Sequence, residues 1–171
     1  MKEKLFSKNV GVSSLVNGIA FALAVLVYQL VPTISSYQWC LYCGFLLTVA
    51  MGADKKKYPN YVVSLIAGYV WAFFYWNLGT WIMMAGVPRL AALMIGELVC
   101  TTGLLYTHLH ILKNTLANFP PYMFCAVATI YSTGGTQNIP KCAISVFAGI
   151  TLCIVYNMLM EIILAKINKD V

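Results

Sequence analysis

The sequence predicts an all-α integral membrane protein, with six transmembrane segments forming two inverted three-helix repeats in one membrane domain, residues 1–171. Three observations carry that prediction. Of the 171 residues, 61% are hydrophobic and 9% charged, which leaves too little polar surface to coat a water-soluble globule of this size. Long stretches almost free of charge, Val10–Val31, Tyr61–Gly86 and Ala143–Met160 among them, each match the roughly 20 residues that cross a hydrocarbon core. The third observation is a repeat: PNYVVSLIAGYVWAFFY, Pro59–Tyr75, returns 81 positions later as PKCAISVFAGITLCIVY, Pro140–Tyr156. Pro59/Pro140, Ser64/Ser145, Ala67/Ala148, Gly68/Gly149 and Tyr75/Tyr156 coincide without a gap, and Thr48/Thr129 coincides upstream at the same offset. Nothing alternates with period two for long, so helices fit these runs and barrel strands do not.

The first segment covers about Val10–Val31 and stops at Pro32. The basic start Met1–Asn9 superficially resembles a signal peptide, but the apolar run is too long and no small-residue cleavage site closes it, so a retained anchor is expected. Segment two is about Trp39–Gly52, followed by the charged turn ADKKKYP. Segment three starts at Pro59, a favoured first helical position, and runs to about Gly86. Segment four covers about Leu90–Leu112. Segment five covers about Pro121–Thr133, with Gly134-Gly135 as its stop, and segment six about Pro140–Ala165. Repeat one spans about residues 10–87 and repeat two about 88–167.

The positive charges select an orientation. With the N-terminus inside, the cytoplasmic face receives Lys2, Lys4, Lys8, Lys55, Lys56, Lys57, Lys113, Lys166 and Lys169, and the outer face only Arg89 and Lys141. Both termini are therefore expected in the cytoplasm, in the bacterial inner membrane, with the lipid bilayer itself as partner of the lysine turns. The net charge of +6 is accounted for by these loops and implies no nucleic acid. Three segments per repeat, an odd number, invert the second copy relative to the first, an arrangement found where a path must open to either side.

Segments two and five occupy equivalent places and rise only about 20 Å against a core about 30 Å thick. They either begin earlier or end part-way across. Thr48 and Gly52, and Thr129, Ser132, Thr133 and Gly134, are thus candidates for lining a solute path; the alternative is hydroxyls bonded back to the preceding turn. Glu97 sits roughly 10 Å along its helix, deep enough that an ionised carboxylate needs a partner, water or a proton. Thr101 and His108 share its face, which with Asn17 is a candidate solute-lining or proton-coupled path; the alternative is a protonated, structural Glu97 bonded to a neighbouring helix through Asn17, one position from its equivalent in the first repeat. Ser64, Gly68, Ser145 and Gly149 form a Ser-x-x-x-Gly pair suited to close helix packing. Glu161 reads as a snorkelling surface carboxylate near Lys166. No Walker-type loop, Rossmann glycine pattern, catalytic Ser/His/Asp set or zinc spacing occurs, so no cofactor or metal is expected.

Cys40-Leu-Tyr-Cys43 resembles the C-x-x-C of quinone-linked disulfide-forming membrane oxidases. Those enzymes follow it with an arginine that is absent here and relay electrons to a second outer dithiol, for which only Cys142 is near. Two packing cysteines are the other reading.

The order of a basic first helix, SSYQWCLYCGFLLTVAMG, the Ser-x-x-x-Gly helix, NFPPYMFCAVATIYSTGG and IPKCAISVFAG resembles the small bacterial inner-membrane proteins typified by YcdZ, a domain-of-unknown-function family. That resemblance covers roughly Val12–Met160 and implies an integral bacterial membrane protein without supplying a site. A fainter likeness is to the membrane halves of fusaric-acid-resistance-type exporters, whose arginines this chain lacks, so no substrate transfers. The expectation is a homo-oligomeric transporter or channel for a small solute, not an enzyme. A non-transporting structural or regulatory membrane protein is the alternative, and a thiol-disulfide oxidoreductase using Cys40 and Cys43 a second.

Overall fold

The computed structural model describes residues 2–169, with side chains for residues 9–167. Six α-helices follow one another: α1 (Lys2–Leu30), α2 (Gln38–Ala50), α3 (Tyr58–Met84), α4 (Arg89–Tyr106), α5 (Pro120–Thr133) and α6 (Ile139–Lys169). Four stretches, Asn9–Leu30, Lys55–Met84, Arg89–Ile111 and Thr136–Ile167, are long and apolar enough to cross a membrane. The remaining two helices have 13 and 14 residues and rise about 20 Å. The side chains of Lys2, Lys4, Lys8 and Lys169, which entered the charge count, lie outside the described residues.

Local chemistry sets the boundaries. Pro59 in the first turn of α3, and Pro120 and Pro121 in that of α5, occupy positions whose N–H has no helical acceptor anyway. Gly134 ends α5 at φ +82°, a left-handed geometry glycine reaches without a Cβ clash. The chain leaves α2 through Gly52 at φ +84° and Ala53 at φ +46°, so Gly52 lies past the helix. Asp54 then accepts the Lys56 backbone N–H at 2.9 Å and starts the single turn Lys55–Lys57. Two boundaries differ from those expected. Helix α1 extends back to Lys2 because no Gly-Pro or turn signal separates Lys2 from Val10. Helix α4 stops at Tyr106, and Thr107–Ile111 widen into a π turn, which the apolar pattern does not register.

Short loops make neighbouring helices antiparallel. At one end of the bundle Tyr37 donates to Asn138 Oδ1 at 2.7 Å; at the other Asn60 donates to Asn118 Oδ1 at 3.2 Å. Arg89 and Lys141 fall at the first end, and Lys55, Lys56, Lys57, Lys113 and Lys166 at the second. Helix α2 lies along α6 and α5 along α3, while α4 flanks α3 and α1 flanks α6 more sparsely.

Glycines decide how closely these pairs approach. A Cβ at Gly149 would fall on the Leu41 carbonyl oxygen and 2.8 Å from the Phe45 nitrogen, and one at Gly44 would fall on the Val146 carbonyl oxygen. Gly68 meets Met123 and Ala126 of α5 in the same way. Backbones that touch along a small-residue face gain dispersion contacts, which replace the hydrophobic drive that lipid removes. The interior holds the hydroxyls of Thr48, Ser64, Thr129 and Ser145 beside Tyr61 stacked on Tyr122 at 4.9 Å. The outside carries Met84, Leu90, Leu98 and Leu30 with most of their surface uncovered. That distribution suits a hydrocarbon surrounding and is unfavourable in water.

Candidate functional site

Glu97 stands eight residues beyond Arg89 in α4, about 12 Å from the helix start, and points out of the bundle. It opens into a groove of about 680 Å³ that runs between α4 and the end of α5, with Leu93, Met94, Leu98, Thr101 and Tyr131 around it. The carboxylate Oε1 accepts the Thr101 hydroxyl at 3.3 Å. Thr101 has one proton to give, so its 2.7 Å contact with Tyr75 is an O–H of Tyr75 donated to Thr101. With the carboxylate ionised, the relay runs from the buried Tyr75 phenol through Thr101 outward to Glu97. Tyr131 is held at both ends: its hydroxyl donates to the Tyr75 carbonyl at 3.1 Å and Trp76 packs against its ring at 5.5 Å.

Neither Asn17 nor His108 belongs to this groove. Asn17 sits on α1 with its Oδ1 buried and unpaired, and the flank it occupies is that of α6, where Ser13 and Tyr156 bond at 2.6 Å. His108 is buried within the π turn. Its Nε2 accepts the Trp71 indole N–H at 3.0 Å. Indole is only a donor, so the ring proton is on Nδ1, which then donates to the Ala117 carbonyl at 2.6 Å. His108 thereby clasps the loop after α4 to α3, and Gly103, one face up, sits against Trp71.

The Ser and Thr hydroxyls of the two short helices each donate to their own helix's backbone. Thr48 donates to Gly44 at 2.7 Å and accepts from Tyr122 at 3.0 Å. Thr129 donates to Ala126 at 2.7 Å and meets Tyr69 at 3.1 Å. Ser132 donates to Ala128 and Thr133 to Thr129. Thr48 and Thr129 are buried, whereas Ser132 is exposed. Gly134, just past them, has open space where a Cβ would be.

No family model, curated protein or solved structure matches the chain. The site is thus read from its own geometry. Cys40 and Cys142 are fully buried in the core, and Cys142 Sγ lies 3.4 Å from the Thr133 hydroxyl. Glu161 meets Lys55 at 3.4 Å with both side chains exposed, the geometry of a weak surface pair.

The two repeated serines part company. Ser64 Oγ accepts the Phe119 N–H at 3.1 Å and donates to the Leu116 carbonyl at 3.3 Å, holding the chain as it enters α5. Ser145 Oγ is buried near Tyr28 and makes no close hydrogen bond. Three features lay outside the sequence reading: Tyr131 in the groove, the Trp71–His108 clasp and the Ser64 loop contact. Only Tyr131 had a local signal, an aromatic in the polar last turns of segment five.

Proposed function

We propose that this chain is a six-span protein of the bacterial inner membrane that moves a small solute, held at the Glu97 groove between α4 and α5. The observation that carries the reading is the mid-depth carboxylate. An ionisable group at that depth costs several kcal/mol unless function or a partner offsets it, and here it faces space with a hydroxyl relay behind it. The fifth segment contributes through Tyr131; the second segment supports the framework through α6.

The inverted-repeat reading is supported by how the helices exchange partners. Helix α2 lies on α6 as α5 lies on α3. Gly149 meets Phe45, and Gly68 meets Ala126, which are the same pair displaced by the repeat offset. The repeated tyrosines act alike: Tyr75 bonds to α4 through Thr101, and Tyr156 to α1 through Ser13. Lysine placement favours both termini in the cytoplasm. Order of motifs favours membership of the YcdZ-type family. Assembly with further copies is favoured by the small size of the chain and its many small-residue helix faces; a single-protomer mass in native electrophoresis from mild detergent would count against it.

The test is flux. Purified protein in liposomes, offered a panel of small neutral, weak-acid and organic-cation solutes, is expected to pass at least one of them, with Glu97→Gln slowing it. Absence of flux for every solute favours the second reading, a structural or regulatory membrane protein, for which the self-satisfied hydroxyls of Thr48, Thr129 and Thr133 speak.

A further inference from the structure

We infer that the Glu97 groove binds a lipophilic organic monocation that enters it sideways from the bilayer. The inference deepens the transport reading by naming the chemical class of the solute, and its consequence for transport rests on that reading. The lining and setting of the groove select that class. Its charged lining group is Glu97, while Leu93, Met94 and Leu98 give it an apolar wall. Arg89, the nearest cation along α4, is about 12 Å away along the helix axis, so among the described residues lining the groove none neutralises the carboxylate. An anion is repelled there, and a neutral solute leaves the carboxylate without a counter-charge in a low-dielectric surrounding.

The hydrogen-bond relay adds a directional argument. With the carboxylate ionised, Thr101 donates to Glu97 Oε1 and Tyr75 donates to Thr101, so both hydroxyl protons are spent behind the carboxylate. Among the described residues no hydrogen bond reaches Oε2, which leaves one face of the carboxylate for a partner. That partner need not donate a hydrogen bond: a charge spread over carbon-bearing substituents is enough, and it avoids the dehydration cost of a compact ammonium. Tyr131 supplies an aromatic ring, 48% exposed and fixed by Trp76 and the Tyr75 carbonyl, against which an organic cation gains a further attraction. The groove, about 680 Å³ and largely open on one side, covers one face of a drug-sized molecule and leaves the other to its surroundings. Because Glu97, Leu98 and Met94 lie on the outer surface of α4, the route in is from lipid, where such a cation partitions.

The experiment uses the full chain in phospholipid nanodiscs with radiolabelled tetraphenylphosphonium, and tetraphenylborate as an anion of the same shape. Saturable phosphonium binding is expected, with the borate bound at least tenfold more weakly. Glu97→Gln is expected to weaken phosphonium binding at least tenfold while eluting as wild type in size exclusion. Tyr131→Leu, which keeps the carboxylate, should weaken it about threefold to tenfold and serves if the Gln variant misfolds. Equal binding of the two ions, or variants that bind phosphonium like the wild type, overturns the inference. So does efficient disulfide cross-linking of Met94→Cys protomers without phosphonium binding, which would give the groove to a second copy. Binding without flux keeps the cation site and removes the transport reading; flux of a neutral solute without cation binding does the reverse.

Discussion

Replacing Gly149 by alanine adds one methyl group where α2 and α6 touch through their backbones. The new Cβ would fall on the Leu41 carbonyl oxygen, 2.8 Å from the Phe45 nitrogen and 2.9 Å from the Leu41 carbonyl carbon. All three are main-chain atoms inside α2, so no side chain can swing aside and the helices must separate. Overpacking of this kind costs about 1–3 kcal/mol, and the better helix propensity of alanine returns up to about 1 kcal/mol. A net loss of about 1–2 kcal/mol corresponds to roughly a 5- to 30-fold rise in the unfolding equilibrium constant. Gly18→Ala is the matched control, because nothing lies within 4 Å of that position; it is expected to be neutral or slightly stabilising. Both variants would be unfolded in mixed micelles by increasing dodecyl sulfate, followed by circular dichroism. Equal midpoints for the two variants, or a more stable Gly149→Ala, would refute the reasoning.

Other perturbations follow from the hydrogen bonds. Ser64→Ala leaves the Phe119 N–H and Leu116 carbonyl unpaired and is expected to cost about 1–3 kcal/mol in the same micelle assay. Ser145→Ala removes a buried hydroxyl that lies near Tyr28 without a close hydrogen bond, so its midpoint should fall less than that of Ser64→Ala; a larger loss would contradict the assignment. Trp71→Phe removes the donor to His108 Nε2 and should raise deuterium uptake across residues 112–119, while Trp81→Phe, on an exposed site, should not. Tyr75→Phe breaks the relay behind Glu97, and a drop in phosphonium affinity smaller than that of Glu97→Gln is expected.

The helices were legible from the sequence because hydropathy, Pro59, Pro120 and Gly134 act locally. Shortness of segments two and five was equally visible, since a 13-residue rise needs no tertiary information. The place of Glu97 along its helix could be counted, but not which way it faces, because α4 is apolar almost all round and offers no polar side for comparison. The His108 stripe was a case of correct periodicity and a different outcome. Thr101 and His108 do follow Glu97 at helical spacing, yet the π turn at Thr107 and the indole of Trp71, 37 residues earlier, draw the imidazole inward. Ser64 shows the same limit: its spacing to Gly68 signals packing, while its bonds to Leu116 and Phe119 depend on a loop 52 and 55 residues away.

The pairing of α2 with α6 and of α5 with α3 also sets a timetable for assembly. When α5 emerges from the ribosome, α3 is already present and can receive it at once. Helix α2 has no such luck: its partner begins at Ile139, roughly 90 residues after Ala50, on the order of 5–20 s later at about 5–20 residues per second. During that interval the Gly44 face of α2 is without the helix that covers it. The α3–α5 and α2–α6 contacts are thus made in unequal order, and a nascent chain halted before α6 would leave that face uncovered.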